Sequence, residues 1–259
     1  MAGGVWDVNT TANWRVAGSA DKVRIHVHTD APAGLFFRLK DFGTIAEIKA
    51  DDMVRQYEAS HRPKSKIALV TDSACDLPRA ILDEHQVHVI PLRVLFGDIE
   101  YLDRVTLTPE RFAAMQRTAR PYPTTSQPPS ADLHRTFAWL ARHYESIIAV
   151  HTSGKLSGTF AASAREAARV TGRKITVIDS RALSGSLGLV VLAAAEAIAE
   201  GSGHDEVVAG IEAALPRARI LVSVRTLDYM VRGGRVSPLK GLLATVLNLK
   251  PIVSLDPEG

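Results

Sequence analysis

Cysteine occurs once, at Cys75. A lone thiol excludes an internal disulfide framework and any cysteine-rich metal site, and it fits a reducing cytosol. A strong excess of charge is also missing: the formal net charge is +3. The basic residues are dispersed, with the densest group at Arg225, Arg232 and Arg235. Such a balance does not make a nucleic-acid groove. Long hydrophobic runs are absent as well. The longest, Leu187 to Ile198, is too short and too alanine-rich to span a bilayer, and the start, Met1-Ala2-Gly3-Gly4-Val5-Trp6, has no apolar signal core. A cytoplasmic chain without stable membrane insertion is expected. Two catalytic signatures are lacking too. No Gly-x-x-x-x-Gly-Lys-Ser/Thr loop or acidic Mg²⁺ cluster marks a nucleotide site, and no Gly-x-Ser-x-Gly elbow marks a hydrolase serine. No cofactor is implied.

What is present is the composition of a globular protein, 46% hydrophobic and 23% charged over 259 residues, enough for one large domain or two smaller ones. Residues 1 to about 57 read as a separate small α+β unit. Lys22 to Asp30 alternates as a strand, Leu35 to Phe42 is a short amphipathic helix, and Ile45 to Lys49 reads as another strand. His26 and His28 share a strand face; with no third ligand in view they read as exposed strand histidines. Residues 58 to 65, containing Pro63, read as a linker.

From Lys66 onward strands alternate with helices. Strands are expected at Ile67–Thr71, Val87–Phe96, Ser146–Val150, Lys174–Ile178, Arg219–Val224 and Lys250–Leu255, and a Gly97-Asp98 turn leads into Ile99-Glu100-Tyr101. Helices are expected from Pro78, from the Thr108-Pro109 start, over Ala131–His143, Phe160–Val170, Leu187–Glu200, Asp205–Leu215 and Leu239–Leu247, with a short one ending at Gly233-Gly234. This alternation implies a parallel sheet with right-handed crossovers, an α/β fold. Polar residues gather at the strand ends, at Asp72-Ser73, Thr152-Ser153 and Asp179-Ser180. Ligands of open α/β sheets bind at that carboxyl edge.

Two hydroxyl-rich segments stand out there: Thr124-Thr125-Ser126-Gln127-Pro128-Pro129-Ser130 and His151-Thr152-Ser153-Gly154-Lys155-Leu156-Ser157-Gly158-Thr159. Each reads as a turn entering a helix, whose unpaired N–H groups attract an anion. Together they suit one carboxylate or phosphate. The plainer reading makes Ser130 and Ser157 ordinary N-caps. Likewise Arg232 and Arg235 around Gly233-Gly234 read as a C-cap with favourable charges.

Several motifs coincide with a known family. Val70-Thr71-Asp72-Ser73-Ala74-Cys75-Asp76-Leu77, Val89-Ile90-Pro91-Leu92, Thr125-Ser126-Gln127-Pro128, Leu156-Ser157-Gly158-Thr159 and the run Leu227 to Val236 resemble the DegV family, from Lys66 to the end. The resemblance implies a two-lobed α/β fold that buries one long-chain fatty acid and presents its carboxylate to an ATP-dependent fatty-acid kinase subunit. By position it assigns the carboxylate to Thr125 and Ser157, with Ser126 and Ser153 nearby and Asp72 and Ser73 on the same edge. Arg232 and Arg235 would face the kinase. Pro128-Pro129 replaces the usual single proline, Ser153-Gly154-Lys155 replaces Ser-Ser-Lys, and the family's C-terminal portion, including a carboxylate-holding histidine, is not in the sequence. The chain is therefore read as incomplete, its second lobe truncated. The run Val23 to Pro32, with Ile48 to Met53, resembles the tail of the kinase subunit's own C-terminal domain, related to dihydroxyacetone kinases, so kinase and carrier would be fused across this junction. The implied role is a carrier and not an enzyme. A serine hydrolase or phosphotransferase using the same hydroxyls, with His151 as the nearby base, is the alternative; a docking module built on the arginine-glycine segment is a third.

Overall fold

The structure is a computed structural model that describes residues 14–19, 21–237 and 250–255. It begins with an antiparallel ribbon of β1 (Trp14–Gly18) and β2 (Val23–Val27), paired from Trp14 with Val27 to Gly18 with Val23. His26 and His28 lie on its exposed face with their Nε2 atoms 3.0 Å apart, and no third potential metal ligand joins them among the described residues. Helix α1 (Pro32–Leu39) follows, with proline in its first turn, and a single 3₁₀ turn, Lys40–Phe42, extends it. The strand expected at Ile45–Lys49 does not form. Ile45 and Ile48, three residues apart, instead pack on an aromatic cluster around Tyr101. Helix α2 (Met53–His61) is capped by the Asp52 carboxylate, which accepts from the Arg55 N–H at 2.9 Å. The first four residues of the expected linker are thus helical, and residues 62–66 carry no regular structure.

The centre of the fold is a sheet of four parallel strands: β3 (Ile67–Asp72), β4 (His88–Ile90), β8 (Ser146–His151) and β9 (Lys174–Asp179), in the order β4-β3-β8-β9. Alternation along β3 and β8 divides the apolar core in two. Leu69, Ile148 and Val150 face one helical layer; Ala68, Val70, Ile147 and Ala149 face the other. The first layer contains α3 (Arg79–Glu84), α7 (Ser184–Ala199) and α8 (His204–Ala214), the second α5 (Ser130–His143), α6 (Thr159–Ala167) and part of α2. Helices on both faces account for the near-complete burial of the central strands β3 and β8.

The apolar run Val87–Phe96 is not one strand. Pro91 lacks a ladder donor, and the chain changes sheets there. Beyond it β5 (Arg93–Phe96) turns at Gly97, whose φ of 60° suits a tight hairpin, into β6 (Ile99–Leu102). Helix α4 (Pro109–Gln116) starts at the Thr108 cap, as the sequence predicts. The third strand of this small sheet, β7 (Thr124–Ser126), pairs with β5. Near the end, β10 (Leu221–Ser223) joins no parallel sheet. It pairs antiparallel with β11 (Ile252–Ser254), on either side of α9 (Asp228–Arg232). The helix expected at Leu239–Leu247 lies outside the described residues. No described helix is long and apolar enough to cross a membrane.

Candidate functional site

From β3 the chain crosses to β4 on one side, and only afterwards returns past β3 to β8 on the other. A crevice opens where the order reverses, at the carboxyl ends of these strands. Asp72 ends β3 and His151 ends β8, and Thr71 lies opposite Val150 in the parallel register. Asp72 is fully buried, and every one of its oxygens is engaged. Oδ1 accepts from the Ala74 N–H at 3.0 Å; Oδ2 accepts from the Thr152 N–H at 2.8 Å and from His151 Nδ1 at 3.2 Å. A second carboxylate acts similarly from the other side. Asp179 Oδ1 accepts from the N–H groups of Gly154 at 3.0 Å and Arg181 at 2.9 Å. The Ser153 N–H meanwhile donates to the Ala182 carbonyl at 2.9 Å. The turn after β8 is therefore held by its backbone donors, which are consumed inside the protein.

The next donors are also spent. Ser153 Oγ accepts from the Lys155 N–H, and the Ser153 carbonyl accepts from the N–H groups of Leu156 and Ser157, both at 3.0 Å. Gly158 occupies the N-cap position of α6, so Ser157 is not the cap. Its hydroxyl nevertheless accepts from the Thr159 N–H at 3.3 Å and lies 2.8 Å from Thr159 Oγ1. One hydroxyl of that pair must donate to the other, which leaves one proton for a ligand. The N–H of Gly158, by contrast, makes no hydrogen bond among the described residues.

The first hydroxyl segment differs from its expected form. Thr124–Ser126 is a strand and not a turn, with Thr125 opposite Val94 and Ser126 opposite Arg93. The turn shrinks to Gln127–Pro129, and Pro129, which has no capping side chain, takes the N-cap position expected for Ser130. Helix α5 is also a poor anion site. Asp132 lies in its first turn and already holds Arg93, which is buried, and Arg135 at 2.7 Å. The two segments still meet: a Cβ placed on Gly158 would come 1.9 Å from Gln127 Oε1.

Ser73 is committed elsewhere. Its hydroxyl donates to Asp103 Oδ2 at 2.7 Å and accepts from the Leu92 N–H at 3.0 Å. Burial pushes the Asp103 carboxyl up, an effect the bond from Ser73 opposes. Of the expected edge residues, Asp72 and Ser73 thus have no free hydrogen-bonding proton, whereas Thr125, Ser126 and Ser153 do, and Ser157 shares one with Thr159. His151 is fully buried with Nε2 unpartnered, and no described serine hydroxyl bonds to it.

A third segment closes on the same place. Arg235 Nη2 donates to the Leu156 carbonyl at 3.2 Å, one residue before Ser157. The Arg232 guanidinium lies 5.6 Å from the centre of the Tyr122 ring, two residues before Thr124, and Tyr122 also packs on Tyr229. Gly233 and Gly234, the latter at a φ of 76°, turn the chain between the two arginines. Nothing in the sequence singled out Tyr122, and the clamping roles of Asp179 and Gln127 depend on contacts distant in sequence. A small, partly open cleft with room for about one water, lined in part by Ala182, Leu215, Ile220 and Leu255, lies behind this turn and not at the hydroxyls.

Comparison with known proteins agrees with this architecture. The DegV family model matches residues 66–259, and a model of the FakA-like middle domain of fatty acid kinase matches residues 14–60. A DegV domain-containing protein of Deinococcus radiodurans is 37% identical over 187 residues, covering 72% of this chain and 66% of its own. This chain thus spans about two thirds of that relative's length. Among solved structures, one described as showing fatty acid binding by a DegV family protein from Thermus thermophilus is 37% identical with a TM-score of 0.66, covering 74% of this chain and 68% of the other. Bacillus subtilis DegV, described as a fatty acid binding protein, is 31% identical with a TM-score of 0.68, covering 75% and 69%. The family match over three quarters of the sequence, the parallel four-stranded sheet and the clamped hydroxyl turn at its switch point agree: the chain belongs to the DegV family and carries a FakA-like middle-domain fragment before it.

Proposed function

We propose that this chain binds a long-chain fatty acid and presents its carboxylate to an ATP-dependent fatty-acid kinase subunit for acyl-phosphate formation. The carboxylate would be held by the hydroxyls of Thr125, Ser126, Ser153 and Ser157 and by the N–H of Gly158. Asp72 and Ser73 position these groups without touching the ligand. Arg232 and Arg235 face the kinase. The single observation that supports this reading most is the meeting of three sequence-distant segments, with Gln127 against Gly158 and Arg235 on the Leu156 carbonyl. A buried carboxylate must be hydrogen-bonded, and bonds to an ionised acceptor are about twice as strong as neutral ones. Burial of the tail adds roughly 0.8 kcal/mol per methylene. The fatty acids bound by the Thermus thermophilus and Bacillus subtilis relatives support the ligand class.

The test is lipid analysis. Purified protein is denatured and extracted, and the released acyl chains are identified by mass spectrometry. The parent is expected to release fatty acid, and Thr125→Val combined with Ser157→Ala to release far less while keeping its far-UV circular dichroism. Undiminished lipid in the double variant, or none in the parent, refutes the reading.

A further inference from the structure

We propose that the β5–β6–β7 face and the C-terminal end of α3 form one docking surface for the kinase-like N-terminal unit, and that the docked unit braces the strand carrying Thr125. Two anchors carry this. At the first, Phe36 is 5% exposed and its ring lies 5.1 Å from that of fully buried Tyr101; the Phe37 ring lies 5.6 Å from it. Lys40 donates to the Tyr101 hydroxyl at 2.8 Å, and the Arg111 guanidinium of α4 stands 4.2 Å from the Phe37 ring centre. Phe37 is thus gripped by an arginine from the carrier lobe while Lys40, from its own helix, crosses to Tyr101.

The second anchor is Arg55 of α2, 7% exposed. It donates to the carbonyls of Leu82 and Asp83 at 3.3 and 3.4 Å and to the Asp83 carboxylate at 2.5 Å. Both carbonyls also accept backbone N–H groups, from Val87 at 2.8 Å and Gln86 at 3.2 Å, so the guanidinium adds a second donor to each at the negative end of the helix dipole. Arg79 of α3 reaches back to Asp52 at 2.6 Å, and Ala59 of α2 is buried in the core beside Val70 and Tyr144. The segment before β3 is therefore pinned at both ends and does not hang as a tether.

Strand register gives the surface its link to the site. Tyr101 lies opposite Val94, and Val94 opposite Thr125, so the three side chains form one row across the sheet. The row runs from the buried Tyr101 under α1, through Val94, to Thr125 on the open edge. β7 is three residues long and among the described residues pairs only with β5, so its position follows that of β5 and of whatever holds β5 flat. The aromatic seat is that support. Docking stands on these contacts alone; its effect on ligand rests on the carboxylate role proposed for Thr125.

The experiment is hydrogen exchange read by mass spectrometry on the full chain and on Phe36→Ala/Phe37→Ala, with Lys40→Met as a milder second variant. Exchange is expected to rise roughly tenfold in residues 93–102 and 124–126 of the double variant and less in Lys40→Met, while β3, β8 and β9 keep their protection. Tryptic cleavage should appear after Lys49, and bound lipid should fall. Unchanged exchange in residues 93–102 and 124–126 of both variants overturns the proposal, as does loss of protection in β3, β8 and β9 in Lys40→Met. A parent without bound lipid refutes the carrier role but leaves the exchange result to decide the docking.

Discussion

Replacing Asp72 by asparagine separates a scaffolding carboxylate from one that contacts ligand. The aspartate accepts three hydrogen bonds in a fully buried setting, from Ala74, Thr152 and His151. An asparagine offers one accepting oxygen and one donating amide. With its oxygen toward Thr152 and His151, the amide meets the Ala74 N–H, donor against donor; reversed, it meets two donors instead of one. One buried N–H is orphaned in the better orientation, and the remaining bonds lose their ionic character. Each such loss costs on the order of 1–3 kcal/mol, so a total of about 2–4 kcal/mol is expected. Urea denaturation followed by circular dichroism reads this loss. The same variant carries a second, opposite-signed signal. Were Asp72 to face a bound carboxylate, removing its charge would relieve repulsion and tighten binding. As a clamp on the Thr152–Gly154 turn, its loss must loosen the donors and lower the bound-lipid content. A variant that is destabilised by less than about 1 kcal/mol and carries more lipid than the parent would refute the scaffold argument.

Gly154→Ala places a Cβ 2.8 Å from Asp179 Oδ2, on the carboxylate that holds the Gly154 N–H, so a loss of about 1–2 kcal/mol is expected by denaturation. His88 is buried against Tyr144 and Trp139, and desolvation first, then the Arg55 charge, lowers its pKa to about 3. Between that value and about 6.5 the unfolded chain binds the extra proton, so stability present at neutral pH falls as the solution is acidified, by roughly 3 kcal/mol at pH 4.5. His88→Asn should flatten that part of the stability–pH curve. Arg232→Ala removes a contact with Tyr122 worth about 0.5–1 kcal/mol. It should leave bound lipid unchanged while weakening capture by the kinase subunit, measured by surface plasmon resonance.

Elements with a local cause were legible in the sequence. β3 and β8 are buried almost throughout because both faces are covered, and α4 begins where Thr108 and Pro109 place a cap and a first turn. Elements fixed from a distance were not. Thr124-Thr125-Ser126 has no apolar alternation and becomes a strand only because β5 offers its edge. Val87–Phe96 looks continuous because both halves are apolar, although they serve different sheets on either side of Pro91. Ile45 and Ile48 satisfy their hydrophobicity by packing on the Tyr101 cluster without pairing. At the site the same division holds. The chemical type, hydroxyls at a carboxyl edge, was readable; which donors were already spent depends on Asp72 and Asp179, 80 and 25 residues from their N–H partners at Thr152 and Gly154.

That expenditure bears on the proposed chemistry. Two internal carboxylates and one carbonyl occupy the N–H groups of Thr152, Ser153 and Gly154, so the turn cannot act as a general anion cradle. What remains for a ligand is mainly hydroxyl protons, which are neutral. A carboxylate held only by neutral donors keeps its full charge, and an oxygen that donates lone pairs to hydroxyls retains one for attack. An arginine in the same place would form a bidentate pair and occupy both oxygens. Here the arginines stand one step back, Arg235 on the Leu156 carbonyl and Arg232 on Tyr122. Under the carrier role proposed above, the ligand must accept a phosphoryl group, and arginines set back in this way would leave a carboxylate oxygen free for attack while supplying positive charge to the incoming phosphates. Introducing a cation directly, as in Gly158→Arg with Gln127→Ala to remove the overlap that a Cβ at Gly158 would meet, should therefore retain or tighten fatty acid while slowing acyl-phosphate formation by the kinase in a coupled ATPase assay; an unchanged rate with lipid retained would remove the argument.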